Sequence, residues 1–178
     1  MKRALSASLL ALSACVAPPP AHYAQGGAPL DLPRARWVRG DLTVDLLPDG
    51  RVLVNGEHEL GLDRAGRVFT PEGDPLAVLE LDGRVLGPGD QPLGHVGVVH
   101  ATLPDRDVAW LSVTDDGEVL RYGEGGERRS WGAWMGCDAT PRSRQACTLV
   151  THLVGLRVVA REAQAGVSVG VGFGVRVR

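Results

Sequence analysis

The chain has 178 residues, 44% of them hydrophobic, with 19 Lys and Arg against 21 Asp and Glu and a formal net charge of −2. That length suffices for one modest domain with a core of its own. The mildly acidic balance and the lack of any recognition motif argue against nucleic-acid binding.

Lys2 and Arg3 precede an apolar stretch, Ala4 to Leu12, interrupted by Ser6 and Ser8. It is too short to span a bilayer, which takes about 20 residues as a helix. A charged start, a short apolar core and small residues at its end read as an export signal over residues 1–14. Leu12-Ser13-Ala14-Cys15 resembles the lipobox of bacterial lipoproteins. The resemblance implies cleavage before Cys15, a diacylglycerol thioether on its sulfur and acylation of the new amine. It also implies residence in the cell envelope, attached to a membrane through N-terminal lipid. Val16 stands where an aspartate commonly marks inner-membrane retention in Gram-negative lipoproteins, which points to the outer membrane where the host has one. Each buried CH₂ contributes about 0.8 kcal/mol, so two or three acyl chains make a stable anchor. The processed chain carries 17 arginines and no lysine against 21 acids, a formal charge of −4. The charge is uneven, −9 from Cys15 to Leu120 and +5 from Arg121 to Arg178. Such asymmetry suits a surface facing an anionic partner, and equally solvated strand faces.

After the anchor, residues 15–33 read as a tether. Pro18-Pro19-Pro20, Gly26-Gly27, Pro29 and Pro33 leave little to bury, and proline-rich stretches are extended and semi-rigid.

Residues 34–136 read as a run of β-hairpins. Asp49-Gly50, Ala65-Gly66, Asp82-Gly83 and Asp116-Gly117 each precede a residue and then a valine, and their glycines lie 16, 17 and 34 residues apart. Asp-Gly and the nearby Asn55-Gly56 suit type I′ turns, which need positive φ at both central residues. Leu42, Val44 and Leu46 alternate with Thr43 and Asp45. Short strands with turn signals at this spacing predict a mainly β fold: an antiparallel meander, sandwich or small barrel of consecutive hairpins. A propeller-like or roll arrangement is also compatible with the period.

Residues 137–178 complete the same domain. Thr140 can cap a helix with Pro141 at its first position, and Ala146, Leu149, Val150, Leu153, Leu156 and Ala160 share a helical face. Gly155 and several β-branched residues oppose a helix; on balance one helix is expected here. Beyond it, Val167, Val169, Val171, Phe173, Val175 and Val177 alternate with small residues and Arg176, the pattern of a final strand with one nearly bare face.

The search for chemistry yields few candidates. With Cys15 taken by lipid, Cys137 and Cys147 remain, and two cysteines in an exported chain usually pair. The bond would contribute roughly 2–3 kcal/mol in the chain-entropy model. Only Gly136-Cys137 matches the Ser-x-Gly-Cys-x-Arg signature of envelope L,D-transpeptidases, so that chemistry is rejected. His95 and His100, five apart, would lie on opposite faces of a strand, and no zinc spacing occurs. Asp49, Asp82, Asp115 and Asp116 occupy turns. Trp131 and Trp134 are candidate ligand contacts if exposed on one face, and core residues otherwise. No catalytic residue, metal ligand or cofactor is assigned. The expected role is an envelope-anchored, non-catalytic structural or interaction module. Two alternatives stand beside it. One is an accessory subunit that pairs its C-terminal strand with an envelope protein. The other is a hydrolase of cell-wall or polysaccharide material using two carboxyls about 5–10 Å apart.

Overall fold

Three Asp-Gly steps and one Ala-Gly step organise the chain. In each, the glycine N–H donates to the carbonyl three residues back: Gly50 to Leu47 (2.9 Å), Gly66 to Asp63 (3.1 Å), Gly83 to Glu80 (3.0 Å) and Gly117 to Thr114 (3.0 Å). These are not the expected type I′ turns. The glycines lie at positive φ, but Asp49, Asp82 and Asp116 do not, so each loop is a type I turn closed by a left-handed glycine. The aspartate decides the form. Asp49 Oδ1 accepts from Arg51 N (3.1 Å) and Oδ2 from Arg51 Nε (2.9 Å), and Asp82 holds Arg84 the same way (3.0 and 2.8 Å). The main-chain N–H of Arg51 or Arg84, followed by its guanidinium, holds each carboxyl below the usual carboxylate range. Asn55-Gly56 does form the type I′ turn, with φ of 52° and 87°, between Val54 and Glu57.

The computed structural model describes residues 17–169, with side chains as far as residue 164. The turns link twelve antiparallel strands: β1 (Ala35–Arg39), β2 (Leu42–Leu46), β3 (Arg51–Val54), β4 (Glu57–Leu62), β5 (Arg67–Phe69), β6 (Pro75–Leu79), β7 (Arg84–Leu86), β8 (Pro92–Val96), β9 (His100–Thr102), β10 (Ala109–Val113), β11 (Glu118–Tyr122) and β12 (Arg128–Met135). Each pairs with its neighbours in sequence, and β1 pairs with β12 through Arg36–Met135, Trp37–Trp134 and Val38–Ala133, closing a barrel. Closure removes both sheet edges. The fold is thus the small-barrel member of the expected mainly β class. His95 and His100 fall on separate strands, β8 and β9, because a turn at 97–99 intervenes.

An eight-stranded barrel is filled by its own side chains; more strands leave more room inside. The helix α1 (Pro141–Val169) takes that room. Thr140 Oγ1 accepts from Ser143 N (3.0 Å), capping the first turn behind Pro141 as expected. Seven consecutive residues, Ala146 to His152, are buried. Two turns buried on every side mean a helix inside the barrel, not one lying across a sheet face. It enters beside the Asp-Gly turns, where Thr148 Oγ1 donates to Val98 O (2.9 Å), and leaves at the opposite mouth, where Arg157 meets Glu59 (3.3 Å). Because α1 runs on to Val169, the first residues of the expected final strand, 167–169, are helical; the rest of it lies outside the described residues.

The Pro/Gly-rich segment is docked where a tether was expected. Gly27 N, Ala28 N and Leu30 N donate to Ala65 O (2.6 Å), Leu79 O (2.7 Å) and Arg64 O (3.0 Å), and Ala28 and Leu30 join the core. Earlier along it, Pro18 O accepts from Gly89 N (2.7 Å) and Ala21 N donates to Asp90 Oδ1 (2.8 Å). Two apolar side chains and a row of main-chain donors suffice to lay this strap along the barrel. The expected lipid site, Cys15, lies outside the described residues.

Candidate functional site

β12 places its two tryptophans by a local irregularity. Residues three apart point to opposite faces of a regular strand. Between the pairs Glu118–Ala133 and Leu120–Ser130, β12 advances three residues against two on β11, with Gly132 at φ 97°. This bulge turns both indoles inward. A Cβ at Gly132 would lie 2.1 Å from Val38 O, so the bulge also depends on close main-chain approach.

The two then part company. Trp134 is a core residue: its Nε1 donates to Thr151 Oγ1 on α1 (2.7 Å), and its ring stacks 6.2 Å from Trp37. As a ligand contact it is corrected, since the helix covers it. Trp131 sits higher, in the wall of a cleft of about 820 Å³ where α1 leaves the barrel. Trp110 meets it edge to face at 5.8 Å. The helix passes both rings at Gly155, whose absent side chain makes the space: a Cβ there would lie 2.9 Å from each indole. Leu103, Val108, Leu156 and Val159 extend the apolar wall.

The rim is charged. Arg39 and Arg121 lie over the Trp131 ring, 4.8 and 5.4 Å from its centroid. Both reach Glu162 on α1, Arg39 at 2.8 Å and Arg121 at 3.6 Å. The hydrogen bond from Arg39, ahead of the remaining attraction to Arg39 and Arg121, holds the Glu162 carboxyl below its usual range. Arg106 faces Glu124 at 3.7 Å. Arg129 lines the cleft with no partner among the described residues. Trp131 Nε1 is buried without an acceptor, a state that costs about 1–3 kcal/mol.

Deeper inside, His152 fixes the helix to the wall. Trp110 Nε1 donates to His152 Nδ1 (2.9 Å), which leaves the ring proton on Nε2 to be donated to Leu93 O (2.8 Å). Burial pushes the imidazole down to about 4, against a small opposing effect of the Leu93 carbonyl. The other histidines are scattered: His22 Nδ1 stands 3.0 Å from Glu80 Oε1, and His95 Nε2 is 2.6 Å from Asp82 O. Among the described residues, no three His, Cys, Asp or Glu side chains gather as a metal site would require. Cys137 and Cys147 stand at disulfide distance, Cα to Cα 6.2 Å, and tie the end of β12 to α1.

Of the residues singled out from sequence, the cleft therefore uses Trp131. Trp110, Arg39, Arg121, Arg129 and Glu162 were not anticipated, since they come from five elements far apart in the chain. The one available signal was the basic balance beginning at Arg121. No protein-family model matches the chain, and neither does any curated protein sequence or solved structure.

Proposed function

We propose that this chain is an envelope-anchored lipoprotein with a non-catalytic binding role. Cys15 is the anchor, the helix-filled barrel the scaffold, and the cleft at the mouth the binding site. The observation that carries the role is the cleft itself. Its wall is indole and aliphatic, its charged lining is four arginines against Glu124 and Glu127, and its volume falls within the roughly 300–1,000 Å³ of small-molecule sites. Of the three carboxylates at it, Glu124 and Glu162 are engaged by arginines, and Glu127 lines it as well. The lipobox residues Leu12-Ser13-Ala14-Cys15 support the anchor.

Two measurements test the reading. Metabolic labelling with an acyl precursor should mark the native chain and not Cys15→Ser, and the variant should leave the membrane fraction; continued labelling of Cys15→Ser would sink the anchor. For the cleft, a photo-crosslinking residue is placed at Val108, on the rim, or at Leu81, at the opposite end; these side chains are 68% and 81% exposed. In intact cells Val108 should capture a specific envelope component and Leu81 should not. Equal yields from both positions would refute the assignment.

A further inference from the structure

We infer that the cleft takes up a single-chain anionic amphiphile, an apolar chain ending in one negatively charged head group, from the membrane surface at which the protein is held. This rests on the cleft being the binding site and Cys15 the anchor. The strap supplies the direction. Pro18 is fixed to Gly89 in the turn between β7 and β8, at the mouth where α1 emerges. Three peptide links separate Pro18 from Cys15, a reach of at most about 11 Å. The next loop around the same mouth, between β9 and β10, contributes Arg106 and Val108 to the cleft. The anchor is therefore tied by a short link to the end of the barrel on which the cleft opens.

The lining supplies the chemistry. Leu103, Val108, Leu156 and Val159 with two indoles offer a wall for a hydrocarbon chain. At the rim, Arg39 and Arg121 share one carboxylate, while Arg129 has none among the described residues. Four arginines, Arg39, Arg106, Arg121 and Arg129, line the cleft against two carboxylates, Glu124 and Glu127. An excess of guanidinium groups above an apolar wall favours an anionic head and disfavours a cationic one. A protein partner is a poorer fit, because specific interfaces bury on the order of 1,200–2,000 Å² and this feature is a cleft, not a broad face.

The test is titration calorimetry on the full chain carrying Cys15→Ser, with dodecanoate and dodecyltrimethylammonium below their micelle concentrations. These share a chain length and differ in head charge. Dodecanoate should bind at one site, roughly tenfold or more tighter than the ammonium. Arg129→Gln should weaken dodecanoate about fivefold without weakening the ammonium. Ala160→Trp, which fills the cleft from α1, should abolish this site and report any binding elsewhere on the chain. Equal affinity for the two head groups, or unchanged binding in Ala160→Trp, would overturn the inference. If neither amphiphile binds, the ligand class is wrong, while crosslinking from Val108 still decides separately whether the cleft is a binding site.

Discussion

Acid should loosen the helix from the barrel, and His152 sets the range. In the folded protein its Nδ1 lone pair is committed to Trp110 and its Nε2 proton to Leu93 O. A second proton would break the first bond and place a charge in the core. Burial therefore lowers its pKa from 6.5 to about 4. The unfolded chain takes up the proton near pH 6.5 and the folded chain only near 4, so the unfolded state binds more protons between those values. Stability is fully present above about pH 6.5 and falls as the pH drops toward 4. At about 1.4 kcal/mol per pKa unit the loss is on the order of 3 kcal/mol, a sizeable part of a typical 5–15 kcal/mol. The assay is urea unfolding at intervals from pH 7.5 to 4, for the native chain and for His152→Gln. The glutamine amide can accept from Trp110 and donate toward Leu93 without titrating. Subtracting its curve isolates His152 from the other histidines and the carboxylates, which both chains share. Parallel curves for the two proteins from pH 6.5 to 4.5, or an NMR titration of His152 near 6.5, would refute the reasoning.

Gly155→Val should destabilise by about 1–3 kcal/mol through overpacking against Trp110 and Trp131, opposite in sign to the usual gain from replacing a helical glycine; thermal unfolding reads it. Cys137→Ser with Cys147→Ser, or reduction, should cost about 3 kcal/mol for a pair ten residues apart, measured as a lower urea midpoint. Gly117→Ala should cost more than about 1 kcal/mol, because φ is 85° and the new Cβ would lie 2.3 Å from Trp134 O; Asn55→Ala, at a solvent-exposed turn, should cost less in the same assay.

What could be read from the sequence was local. A turn is decided by four residues, so the repeated glycines marked the hairpins, while the Asp49–Arg51 and Asp82–Arg84 contacts accompany a type I form that the glycine pattern by itself does not show. The helix start was legible because Thr140 and Pro141 act on their own neighbours. Of the alternating valines, Val167 and Val169 belong to the helix, because alternation describes a strand only when a sheet receives it; the others lie outside the described residues. Trp131 and Trp134 stood open between ligand contact and core because the bulge at Gly132, which turns both indoles inward, needs a glycine where a Cβ would lie 2.1 Å from Val38 O, and Val38 is on another strand.

The hairpin succession, the helix cap and the available cysteine pair follow from residues near one another, and the sequence alone determined them. Closure of β1 on β12, the helix in the lumen, the docked strap and the cleft join residues up to 123 positions apart, as Arg39 and Glu162 are. Such contacts form only when the whole hydrophobic interior is buried at once, and that is why only the tertiary structure decided where this protein has a place to bind.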